Sequence, residues 1–133
     1  MTQRYMLDTN VVSHIMQGRD AALLARLTQV PVGQVVMSSV TLAELEYGLH
    51  RKGQPERLKA AMAQVLLRMD VLAWDEAVAR CYGALCSTLE ARGINLSDLD
   101  MMIAAHAVAV DTTLVSRDKA FAQVPPPLRL EIW

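Results

Sequence analysis

No stretch of this sequence stays apolar for the roughly 20 residues that a membrane-spanning helix needs. Near its start the longest apolar patch is only Tyr5-Met6-Leu7. Met1-Thr2-Gln3-Arg4 leads into a strand rather than into the apolar core of a secretory signal, so the expectation is a soluble, cytoplasmic protein without a membrane partner. Cysteine is scarce: Cys81 and Cys86 stand five apart on one expected helix, a spacing that fits neither a CxxC redox pair nor a zinc site. They read as two buried, reduced thiols. Three histidines, His14, His50 and His106, form no HxxxH or HExxH pattern and receive no catalytic role. There is no internal repeat, no low-complexity segment beyond Pro125-Pro126-Pro127, and no linker long enough to separate domains. One domain over residues 1–133 is expected.

What the chain has is hydrophobic mass. Of its 133 residues 53% are hydrophobic, enough for one real core and too many for intrinsic disorder. Strand-like and helix-like segments alternate along it. Arg4–Leu7 reads as a strand ending at Asp8, with helices over Val11–Met16 (closed by Gly18) and Ala21–Val30. Gln34–Ser38 reads as the second strand, followed by helices from Thr41 to about Arg51 and from Glu56 to Met69. Val71–Trp74 is the third strand, and a long helix capped by Asp75 runs to about Ala91. The next helix opens at Ser97-Asp98-Leu99-Asp100 and places Asp100, Ile103, Ala104, Ala107 and Val108 on one face. Thr112–Ser116 is the fourth strand and Leu128–Ile132 the last. This alternation predicts an α/β fold with a mostly parallel central sheet flanked by helices.

In such sheets ligands bind beyond the carboxyl ends of the strands, and four acids fall there. Asp8 ends the first strand, Glu44 follows the second, Asp100 opens the helix leading into the fourth, and Asp118 lies just past the fourth. Converging carboxylates raise one another's pKa unless something neutralises them. A hard cation such as Mg²⁺ or Mn²⁺ suits an all-oxygen site and phosphodiester hydrolysis. Thr9, Asn10, Ser116 and Arg117 are polar groups beside the acids, suited to orienting ligands or a phosphate. Asp98 precedes Asp100 by two and so points off the core face; it is either a first-turn charge or an acid that reaches the metal through water.

Each acid also has a plain structural account. Ser97-x-x-Asp100 and Thr41-x-x-Glu44 have capping-box spacing, Asp8 fits an N-cap and Asp118 a turn. A net charge of −1 argues against a nucleic-acid partner, yet setting the four acids aside leaves ten acids against 13 Lys and Arg. Arg51, Lys52, Arg57, Lys59 and Arg68 crowd one segment, compatible with phosphate contacts or with a solvated helix face. A phosphatase with Asp8 as nucleophile, a DNA-directed nuclease and a non-catalytic module binding a basic peptide stay open; no DxD arrangement supports the first.

Met6-Leu7-Asp8-Thr9-Asn10-Val11-Val12-Ser13, Ser39-Val40-Thr41-Leu42-Ala43-Glu44-Leu45-Glu46-Tyr47-Gly48 and Asp100-Met101-Met102-Ile103-Ala104-Ala105-His106-Ala107 resemble the signatures of VapC-type PIN-domain toxins. So do Leu114-Val115-Ser116-Arg117-Asp118-Lys119-Ala120-Phe121 and Leu128-Arg129-Leu130-Glu131-Ile132-Trp133. The resemblance implies a PIN-like three-layer fold and a Mg²⁺- or Mn²⁺-dependent endoribonuclease, the toxin of a bacterial toxin–antitoxin pair. Its acids would be Asp8, Glu44, Asp100 and Asp118, with Asn10 and Ser116 as polar support; relatives vary at the position of Asp118 and are irregular at that of Asp98. It further implies a homodimer, a small VapB-like antitoxin that inserts a C-terminal segment, often bearing an Arg, into the acidic groove, and tRNA as substrate, commonly initiator tRNA at its anticodon stem-loop.

Overall fold

The structure, a computed structural model, describes residues 3–133. Met1 and Thr2, expected to lead into the first strand, lie outside the described residues. Five strands form one sheet: β1 (Tyr5–Leu7), β2 (Val35–Ser38), β3 (Asp70–Leu72), β4 (Thr113–Val115) and β5 (Arg129–Glu131). Their order is β3-β2-β1-β4-β5, and all four pairings are parallel. The sheet expected to be mostly parallel is wholly so. Helices α1 (Thr9–Gln17), α2 (Ala21–Gln29), α3 (Ser39–Arg51), α4 (Glu56–Arg68), α5 (Glu76–Ala91) and α6 (Asp98–Ala109) make the connections, with a short 3₁₀ turn at Lys119–Gln123 that the sequence pattern does not announce. Among the described residues no helix is long and apolar enough to cross a membrane.

Side-chain alternation explains why both faces of the sheet are covered. Met6, Val36 and Leu114 point into one core, shared with Leu85 and Leu89 of α5 and with α6. Leu7, Val35, Met37 and Val115 point into the other, beneath residues of α1 to α4. Neighbouring residues of the central strands β1, β2 and β4 therefore serve opposite cores. In the central strands β1, β2 and β4 nearly every side chain is buried, whereas the edge strands β3 and β5 keep Asp70, Val71 and Arg129 exposed.

Capping residues set the helix starts, and they correct several expected boundaries. Asp8 accepts a hydrogen bond from the N–H of Val11 (2.9 Å), so α1 opens at Thr9 and not at Val11. Ser38 accepts from Val40 (3.0 Å), which starts α3 two residues before Thr41. Asp75 and Ser97 cap α5 and α6 as expected. The apolar stripe expected on α6 is a correction too. Met101, Ile103, Ala104, Ala105, His106 and Ala107 are all buried while Val108 is only partly so; a helix wedged against the sheet, α3 and α5 needs apolar surface nearly all round. Cys81 and Cys86 are free, as expected, but only partly buried, because they lie on the flanks of α5 rather than on its core face.

Candidate metal-binding active site

The strand order reverses direction between β1 and β4, and a parallel sheet leaves a crevice at such a switch point, beyond the strand ends. Asp8 follows β1 there and Ser116 follows β4, held in step by the register Leu7↔Val115 and by the Asp8 N–H donating to Val115 O (3.1 Å). Asp8 is 4% exposed. Its Oδ1 takes the Val11 N–H and its Oδ2 accepts a short hydrogen bond, 2.5 Å, from Ser116 Oγ. The same Ser116 oxygen accepts the N–H of Asp118 at 3.0 Å. One fully buried hydroxyl thus ties the acid after β1 to the backbone of the acid after β4.

Asp118 caps the 3₁₀ turn, accepting from the Ala120 N–H with Oδ1 at 2.9 Å. Asp100 lies in the first turn of α6, its N–H bound by Ser97 Oγ at 3.2 Å. Glu44 sits one and a half turns into α3 and accepts from Thr9 Oγ1 at 2.5 Å, with Thr41 Oγ1 3.4 Å from that hydroxyl. Thr41 is not a cap, since α3 has already begun at Ser39. The capping account therefore fails for Glu44, holds for the Ser97 hydroxyl, and coexists with a shared site for Asp8 and Asp118.

Charge separates this site from ordinary capping. Burial raises the Asp8 pKa above the usual carboxylate value, outweighing the hydrogen bonds from Ser116 and Val11, and the negative charges of Asp100 and Asp118 push it further up. Burial likewise raises Asp100, with Asp118 adding to it and Ser97 opposing. Among the described residues none of the four acids has an ion-pair partner. Crowded carboxylates without a counter-ion are costly, and a cation would relieve that cost.

The donor set, carboxylate and hydroxyl oxygen throughout, fits a hard divalent ion. Among the described residues no three His, Cys, Asp or Glu side chains already close around a single point.

The remaining polar residues divide. Thr9 orients Glu44 and Ser116 orients Asp8. Asn10 is exposed at the start of α1. Arg117 turns away, its guanidinium 2.7 Å from Asp20 and donating to Trp133 O at 2.8 Å, so it braces the N-cap of α2 and Trp133. Asp98 lines a separate cleft with Tyr82, Cys86 and Glu90 and faces α5. Sequence reasoning missed two supports. Thr41 is fully buried behind Thr9, and fully buried His106 has Nδ1 2.7 Å from Ser38 Oγ, at the residue that starts the helix carrying Glu44. A lone histidine inside an otherwise apolar helix was the available signal for the second.

A model of the PIN domain matches residues 5–126. Among curated proteins, ribonuclease VapC2 of Haemophilus influenzae is 34% identical over 130 residues, covering 98% of both chains. The tRNA(fMet)-specific endonuclease VapC of Shigella flexneri is 32% identical at the same coverage. Among solved structures, VapBC2 of Rickettsia felis, bound to a DNA fragment from its promoter, contains a chain that superposes with a TM-score of 0.90 at 28% identity. The match covers 98% of this chain and 99% of that one.

Proposed function

From its place in the PIN-domain family, to which the chain belongs beside the VapC ribonucleases, we propose that this single domain is a metal-dependent endoribonuclease. It is the toxin of a toxin–antitoxin pair and blocks translation by cutting RNA. The observation that carries the reading is the set of Asp8, Asp100 and Asp118 at the β1/β4 switch point, where the charges of Asp100 and Asp118 add to the raised pKa of Asp8 and that of Asp118 to the raised pKa of Asp100, with no ion-pair partner among the described residues. Asp8, Asp100, Asp118 and Glu44 would hold Mg²⁺ or Mn²⁺. When bound, the ion lowers the pKa of attacking water and offsets charge building on the phosphoryl oxygens.

The chain's own residues prepare that chemistry. Ser116 fixes the Asp8 carboxylate by donating to Oδ2, and its bond opposes the rise in pKa, keeping more of the acid ionised. Thr9, the residue after Asp8, holds Glu44 Oε1. Burial of Asp8 excludes bulk water from one side and strengthens each electrostatic contact. A phosphatase with Asp8 as nucleophile is disfavoured, since Asn10 stands where a DxD arrangement would put the second acid. The substrate is proposed to be tRNA, as the name of the Shigella flexneri relative suggests, with initiator tRNA the first to try. The likeness to a chain of a VapBC complex supports a small VapB-like antitoxin as partner. A homodimer and a cytoplasmic site of action complete the proposal.

The test is cleavage of total tRNA by antitoxin-free protein, with and without Mg²⁺ or Mn²⁺, beside Asp8→Asn and Asp100→Asn variants shown folded by circular dichroism. Metal-dependent cutting that falls by at least about 100-fold in either variant is expected, the scale of losing one electrostatic element of a site. Cutting that persists in both variants would move the active site elsewhere.

A further inference from the structure

Five cations crowd residues 51–68, and the structure divides them. Arg51 lies 5.6 Å over the Tyr47 ring, Lys59 pairs with Glu56 at 3.5 Å, and Arg68 lines an apolar groove between α1, α2 and α4. Lys52 and Arg57 do something different. With Arg19 they rim a cleft of ≈ 300 Å³ where the end of α1 meets the α3–α4 turn, with Met16, Pro55, Leu58 and Ala61 among the floor residues. All three cations are exposed, and among the described residues none has an ion-pair partner. Beside them α4 starts at Glu56 after Pro55 with no side-chain cap bond, and the one acid of its first turn, Glu56, is paired with Lys59.

The cleft connects to the acid site along α1. Thr9, which holds Glu44, is followed on the same face by Ser13 and Gln17, both of which line the cleft. Eight residues of helix span about 12 Å, the rise of about three stacked nucleotides at about 3.4 Å each. An acidic centre, a polar ridge and a basic cleft follow one another, an order suited to a polyanion cut at the first and anchored at the last. In a chain of net charge −1, three unpaired cations in one depression are a local departure that packing does not require.

We propose that the cleft rimmed by Arg19, Lys52 and Arg57 binds backbone phosphates of the RNA substrate, a few nucleotides from the bond that is cut. The proposal rests on the ribonuclease reading above. Its test is the combined Arg19→Ala, Lys52→Ala and Arg57→Ala variant, checked for folding, with a fluorescent single-stranded oligouridylate as binding probe in EDTA and total tRNA as cleavage substrate. Each lost phosphate contact on a single strand should lower the slope of log affinity against log salt by about 0.7. A flattening of about 2 and a KM for cleavage raised about tenfold, with kcat within about twofold, are expected. Arg57→Lys alone should bind nearly as wild type does, because a point charge still serves a phosphate.

Unchanged affinity and slope in the triple variant, while the wild type cuts tRNA, would overturn the cleft and leave the nuclease standing. RNA binding intact but capture of a co-expressed antitoxin lost would hand the cleft to that partner and overturn it equally. If the wild type neither cuts tRNA nor binds the probe, the ribonuclease reading itself fails, and the proposal with it.

Discussion

Ser116 and Asp8 show how much a single hydroxyl can govern. Ser116 Oγ donates to Asp8 and accepts from the Asp118 backbone, so Ser116→Ala removes a bond that lowers the Asp8 pKa and leaves the opposing burial in place. The ionised fraction of Asp8 at a given pH falls. The acid limb of the pH–rate profile should therefore move to higher pH in Ser116→Ala, with little change on the alkaline side; a profile superposable on the wild type would contradict this. Ser38→Ala acts on the other support. It uncaps the Val40 N–H and strips the partner from buried His106 Nδ1, whose Nε2 already lacks one. Thermal or urea melts should show a loss of about 1–3 kcal/mol, the cost of leaving a buried polar group unpaired. The acids themselves were legible in the chain as residues at strand-to-helix junctions. Thr9 and Ser116 stood out as polar neighbours of those acids; Thr41 and His106 did not, because they become neighbours of Thr9 and Ser38 only through the fold.

At the level of elements, α1 opens on a residue with two jobs. Asp8→Asn keeps an oxygen for the Val11 N–H, whereas Asp8→Ala loses the cap and should cost about 1 kcal/mol more. Both would lose activity, so comparing their melting separates fold from chemistry. The pH dependence has a definite sign. Asp8 and Asp100 have folded pKa values raised above 3.8, so their contribution to stability is full below that value and is lost as pH rises through the folded values. In metal-free buffer the stability gap between Asp8→Asn and wild type should shift in favour of the variant as pH climbs from about 4 towards neutrality, readable by calorimetry. Most elements were visible in the sequence within a residue or two, since alternation and caps are local signals. The start of α3 was misjudged because Thr41-x-x-Glu44 imitates a capping box. Similarly, α6 looked one-sided because only its depth in the packed molecule reveals how many of its faces are covered.

On the whole-molecule scale the crowded acids cost stability, and under the proposed function a bound ion should return it. Adding Mg²⁺ or Mn²⁺ at about 100 times the dissociation constant should stabilise the wild type by about 2.7 kcal/mol, and Asp8→Asn and Asp100→Asn should respond far less. Equal rises in melting temperature for all three would place the ion elsewhere. Strand order was the feature of the fold least legible along the chain, because nothing local says that β1 lies between β2 and β4. That arrangement also bears on how the protein is made. β1 leaves the ribosome first yet sits at the centre of the sheet, and Asp8 meets Ser116 and Asp118 only after β4 has emerged. The Ser116 N–H is itself bound by Glu131 O in β5 at 3.1 Å. While it is being translated, the nascent chain holds an incomplete set of acids for most of its synthesis. The two flanks of the switch point, set by residues 108 positions apart, thus come into being together and only late, when β4 docks beside β1.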